Sequence, residues 1–92
     1  MPKYTSDIVA GYTLYFTSKC VIEAMHVHAG DKCLSEDLSA KLFVYDNGDT
    51  SIEKWGQVND KDMAKIQRYI KNNYIEMYKK WSQYSDNGFK KK

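Results

Sequence analysis

The chain has no long apolar run. No segment approaches the roughly 18 consecutive apolar residues that a membrane-spanning helix needs, so a helical membrane protein is excluded. The first residues, Met1-Pro2-Lys3-Tyr4-Thr5-Ser6-Asp7, lack the apolar centre of a signal peptide. The expectation is a cytoplasmic protein, with its two cysteines, Cys20 and Cys33, as reduced thiols. Charge of one sign is missing too: 14 basic groups stand against 12 acidic ones, a net charge of +2. That balance argues against direct, specific nucleic-acid binding and leaves too little acid to mimic DNA. There is no phosphate-binding loop, glycine-rich dinucleotide fingerprint, serine elbow or His-Glu-X-X-His sequence, so no familiar reaction is announced and no cofactor is expected. Histidine is scarce as well, with two in 92 residues.

Those two histidines are the most informative feature present. His26-Val27-His28 lies in an apolar stretch, Ala24 to Ala29. In a strand, residues two apart point to the same side, so the two imidazoles share a face. Chemistry near neutral pH that needs a titrating base or a nitrogen ligand passes through them. Their plain alternative is a polar pair hydrogen-bonded to neighbours or facing a partner.

The surrounding pattern is that of a small α+β domain. Residues 1–9 read as a leader strand or arm. Tyr12, Leu14 and Phe16 alternate with Thr13, Tyr15 and Thr17, as in a half-buried strand. Met25 to Ala29 reads as a short strand broken by Gly30-Asp31-Lys32. Residues 40–45 and 50–55 read as a hairpin around Asp46-Asn47-Gly48-Asp49, because Asn-Gly accepts positive φ. Asn59 can cap a long helix with Asp60 and Asp62 in its first turn. Met63, Ile66, Ile70, Tyr74, Met77, Trp81 and Tyr84 recur at spacings of three and four and form its apolar stripe. Asp86-Asn87-Gly88 supplies an ending for it. The fold expected is an antiparallel β-meander of three or four strands packed against one long C-terminal helix, with the other sheet face toward solvent or a partner. Residues 1–92 form one domain, with a core over about 10–85 and a flexible basic tail at 86–92.

Several constellations could carry chemistry. His26, His28, Cys20 and Cys33 are the right residue types for zinc, with Asp31 or Glu23 as further ligands, but their spacing matches no standard finger. A Cys-His nucleophile pair would need a thiol acidified by an imidazolium, and no local signature supports one. Lys65, Arg68, Lys71, Lys79 and Lys80, interleaved with Tyr69, Tyr74, Tyr78 and Tyr84, give the helix a basic, tyrosine-rich side, which is most simply a solvated face. Tyr15, Tyr78 and Trp55 are candidate anchors for a protein partner, beside His26 and His28.

The order of these elements resembles a small bacterial family, domain of unknown function 4160. Tyr15-Phe16-Thr17-Ser18 matches the end of its first strand, and His26-Val27-His28 its His-X-His pair. Ser39-Ala40-Lys41-Leu42-Phe43-Val44 matches its Ala-Lys-Phe strand. Ile66, Ile70, Asn73, Ile75, Met77 and Trp81 follow its closing helix. The resemblance spans about residues 12–84. It departs where the family carries prolines before the histidines, since Ala24-Met25 stands there. The resemblance implies a small cytosolic protein, often encoded beside a second small protein in toxin-antitoxin-like modules, with no established catalytic residue. The expected role is a protein-binding module of a toxin-antitoxin-like or mobile-element system, more a binder than an enzyme. Its partner would be another small protein encoded nearby, and a homo-oligomer is also open. Two alternatives stand beside it. One is a ribonuclease-like toxin using His26 and His28 as acid and base. The other is a phage- or element-borne inhibitor of a host defence protein.

Overall fold

A computed structural model describes residues 3–17, 22–31 and 38–91. It contains β1 (Lys3–Val9), β2 (Tyr12–Tyr15), β3 (His26–Gly30), β4 (Ala40–Val44), β5 (Thr50–Lys54) and α1 (Asp60–Ser82). The strands form one sheet in the order β1-β2-β3-β4-β5, and each neighbouring pair is antiparallel. This is the expected α+β meander with its C-terminal helix, but with five strands rather than three or four.

The extra strand is the leader segment. It pairs with β2 through Val9↔Tyr12 and Ile8↔Thr13, then irregularly to Lys3↔Tyr15. The bulge explains why Lys3–Val9 shows no clean alternation: only Tyr4 is buried, and period-2 patterning fails where an edge strand bends away from its neighbour. The connecting turn is Ala10-Gly11, with φ of 53° and 87°. A two-residue loop with both central residues left-handed is a type I′ turn, whose twist suits a hairpin.

The second hairpin was legible in sequence, but its turn differs in detail. Only Gly48 is left-handed, at φ 87°, whereas Asn47 is not. Gly48 N–H donates to the Tyr45 carbonyl at 3.0 Å and Tyr45 N–H to that of Asp49 at 2.8 Å. This is a three-residue loop closed by a glycine bulge. The Asn47 side chain instead accepts from Asp49 N–H at 3.0 Å.

Helix α1 begins as expected, with Asn59 Oδ1 accepting from Asp62 N–H at 2.8 Å. Met63, Ile66, Ile70, Met77 and Trp81 are buried against Leu14, Phe16, Met25, Val27, Ala29, Leu42 and Val44. Each such side chain taken out of water contributes about 1.5–3 kcal/mol. The helix closes at Ser82, with Gln83 as a right-handed cap. Tyr84 therefore lies beyond it and is half-exposed, its ring centre 5.3 Å from that of Phe16 in an edge-to-face arrangement. Gly88 takes no left-handed conformation.

The segment after the helix docks rather than trailing free. Trp81 Nε1 donates to the Asn87 carbonyl at 2.7 Å. Met25 N–H donates to the Gly88 carbonyl at 2.9 Å, and Lys90 N–H to that of Val44 at 2.8 Å. Phe89 stacks on Tyr78 at 4.3 Å between ring centres. The apolar Phe89 anchors what its charged neighbours alone suggest is a solvated tail.

Candidate functional site

Because β2, β3 and β4 are in antiparallel register, Tyr15 lies opposite His28 and His28 opposite Lys41; His26 lies opposite Phe43. Val27 and Ala29 alternate with the histidines and fill the core beneath α1. The alternation thus turns both imidazoles to the side of the strand opposite Val27 and Ala29, where His26 still reaches the rim of the core at Trp81. Their ring centres are 5.2 Å apart, with planes at 88°.

That face was expected to meet solvent or a partner. Instead, Tyr15 and His26 have no exposed surface, and His28 and Phe43 keep 7% and 8%. Aromatic rings pack around the pair. Tyr15 stacks on His28 at 5.3 Å, and His26 meets Phe43 at 5.5 Å and Trp81 at 5.7 Å. Neighbouring aromatic rings on a sheet share contact area in stacked, tilted and edge-to-face geometries.

Hydrogen bonds orient the cluster. His26 Nδ1 lies 2.9 Å from the Ala24 carbonyl oxygen, which can only accept, so this nitrogen carries the proton. The His26 carbonyl accepts from the Tyr4 hydroxyl at 2.7 Å. The Tyr15 hydroxyl and Ser39 Oγ share a bond of 2.8 Å. Gly30 makes that contact feasible: a Cβ on it would collide with Ser39 Oγ and stand 3.1 Å from the Tyr15 ring. Gly30 closes strand β3 and leaves room for Tyr15 to reach Ser39, a role beyond that of a turn breaker.

The approach to the pair is set without proline. Met25 is fully buried, its N–H bonded to Gly88 and its carbonyl accepting from Val44 N–H at 3.0 Å. A proline at position 25 could not make the first bond. Backbone pairing to the returning tail here does what a fixed φ would otherwise do.

At the rim, Lys41 Nζ bonds both Glu23 oxygens, at 3.1 and 3.3 Å. Partial burial pushes the Glu23 carboxyl upward, but the hydrogen bonds and charge of Lys41, with smaller help from His26 and His28, prevail and hold it below the ordinary carboxylate range. Lys41 and Lys90 also stand over the Phe43 ring, at 5.1 and 4.6 Å from its centre.

Of the residues singled out from sequence, the fold brings together His26, His28 and Tyr15. Tyr78 lies on α1 against Phe89, away from them. Trp55 follows β5 and is 44% exposed. Cys20 and Cys33 lie outside the described residues. Among the described residues no three His, Cys, Asp or Glu side chains group as metal ligands, and Glu23 is engaged by Lys41. Ser39 and Phe43 were not singled out as site residues. The only signal for them was register, which requires knowing that Tyr15, His28 and Lys41 share a row.

A family model described as "Domain of unknown function (DUF4160)" matches residues 11–82. The chain belongs to the DUF4160 family. No curated protein and no solved structure matches it. The DUF4160 match begins inside the first hairpin and ends with α1, so β1 and the docked tail lie outside it. Within the matched region lie the His-X-His strand and Tyr15, Phe43 and Trp81. Among the described residues, no helix is long and apolar enough to cross a membrane.

Proposed function

We propose that this DUF4160 protein is a protein-binding module, one component of a two-protein system of the toxin-antitoxin or mobile-element kind. The burial of the histidine pair carries the reading. A general acid and base must come within hydrogen-bonding distance of a substrate's reacting atoms. His26 and His28 are instead packed among Tyr15, Phe43 and Trp81 with almost no surface. They serve as ring-packed parts of the sheet, with His26 held to the Ala24 carbonyl through Nδ1. Large apolar side chains that are exposed, Ile8 and Trp55 among them, lie elsewhere on the chain and supply contact area for a partner. The same burial weighs against the ribonuclease reading.

Co-expression with the product of the adjacent gene tests the proposal. The expected result is a stable complex that survives purification and is retained by a folded His28→Gln variant. Absence of any complex, or RNA cleavage abolished by His28→Gln with folding intact, overturns it.

A further inference from the structure

A groove of about 570 Å³ runs between the end of β1 and the middle of α1. Its walls carry Ile8, Ala10, Lys65, Arg68 and Tyr69, with Asp7 at one end. Ile8 is 63% exposed, the most exposed aliphatic side chain of any strand described. Lys65 and Arg68 are exposed cations one helical turn apart, and neither forms an ion pair with a described residue. By contrast, Lys41, Lys71 and Lys79 are each matched to a carboxylate. Among the described residues Asp7 is the only acid lining the groove, and it accepts a long bond from the Tyr69 hydroxyl, 3.4 Å. Ala10, on the same wall, holds a left-handed backbone unusual for a residue with a Cβ. Residues 7–10 lie before the family-matched region.

We infer that this groove is a docking site for an acidic segment of a partner protein, with carboxylates paired to Lys65 and Arg68 and an apolar side chain covering Ile8. The inference rests on the binding-module reading and names the chemistry of the partner. Arginine favours a bidentate carboxylate, and lysine adds a second charge on the same rim. A protein fits better than RNA for two reasons. Single-stranded RNA is held by exposed rings on which bases stack, whereas Tyr69 is half-buried with its hydroxyl turned to Asp7. An exposed isoleucine rewards an aliphatic side chain, which nucleic acid does not offer.

The test uses a fluorescein-labelled octapeptide of alternating Asp and Leu, a matched Lys-Leu peptide and a labelled ten-nucleotide oligouridine, each titrated against the whole protein by anisotropy. Circular dichroism checks that the variants stay folded. The Asp-Leu peptide is expected to bind, to weaken with added salt, and to bind about tenfold more weakly to Lys65→Glu/Arg68→Glu. It should bind within about twofold as well to Lys80→Glu, whose site lies at the far end of the helix. No binding of the acidic peptide, equal binding by the double variant, or tighter binding of oligouridine overturns the inference. Failure here leaves the broader proposal to the co-expression experiment. A gene-neighbour complex kept by Lys65→Glu/Arg68→Glu would put the contact on another surface, and no complex at all would remove the binding module itself.

Discussion

Ala10 offers a prediction whose sign depends on the fold. In most positions Ala→Gly destabilises, because glycine has more freedom to lose on folding. Ala10 stands at φ 53°, where an L-residue pays about 1–2 kcal/mol for the approach of its Cβ to the following carbonyl. Replacing it with glycine removes that cost and adds about 0.4–1 kcal/mol of unfolded-state entropy against folding. The net expectation for Ala10→Gly is a gain of about 0.5–1 kcal/mol. Ala10→Asn should gain a similar amount, since asparagine tolerates the left-handed region and keeps a side chain's restriction of the unfolded chain. For a domain of this size, 1 kcal/mol moves Tm by roughly 4–8 °C. Gly11→Ala is the opposing control. Its φ is 87° with nothing within 4 Å of an added Cβ, so its loss of about 1 kcal/mol comes from backbone conformation alone. Urea denaturation of the four proteins, read as a change in midpoint at constant m-value, measures all of this. A destabilised Ala10→Gly protein would refute the type I′ turn, and with it the pairing of β1 onto β2.

Three further predictions concern the histidine face and its supports. Gly30→Ala should cost about 1–3 kcal/mol by overpacking, since the new methyl group meets Ser39 and Tyr15, and the phenol ultraviolet band of Tyr15 should shift; a neutral effect would mean that Tyr15 does not cross β3. Trp81→Phe should cost about 2 kcal/mol through a lost hydrogen bond and a smaller ring. Its distinguishing signature is faster hydrogen exchange at Met25 and Lys90 than at Leu42, because Asn87 would no longer hold the returning segment to the helix. Glu23 has a folded-state pKa below its unfolded value, so its contribution is fully present above the unfolded pKa and disappears as pH falls through the folded one. With side chains 45% and 20% exposed, the Glu23–Lys41 pair contributes at most about 1 kcal/mol. The stability gap between wild type and Glu23→Gln should therefore be small at neutral pH and close on acidification; a gap that widens in acid would contradict that pairing.

What could be read along the chain and what could not divide along a physical line. The helix and its cap were legible because Asn59 and the stripe from Met63 to Trp81 act within a few residues of each other. The hairpin at Asn47-Gly48 was legible for the same reason. The first hairpin was obscured because alanine stands where a left-handed turn favours asparagine, and because the bulge in β1 erases its alternation. The end of the helix was misplaced because Trp81 turns back to bond Asn87, a contact that periodicity does not encode.

The histidine pair shows the division most sharply. His-X-His in a strand already implies two imidazoles on one side, because the pleat alternates with a period of two. The sequence by itself therefore determined the meander, the amphipathic helix and the shared face of His26 and His28. Tertiary structure alone decided that this face is closed. Tyr15, Phe43 and Trp81 arrive beside the pair from β2, β4 and α1, and Gly30 leaves space for one of those rings. The groove beside Ile8 has the same origin, since its walls are brought together from residues more than fifty positions apart in the chain. Cross-strand register and helix docking set such distances, whereas composition and periodicity act only on neighbours along the chain.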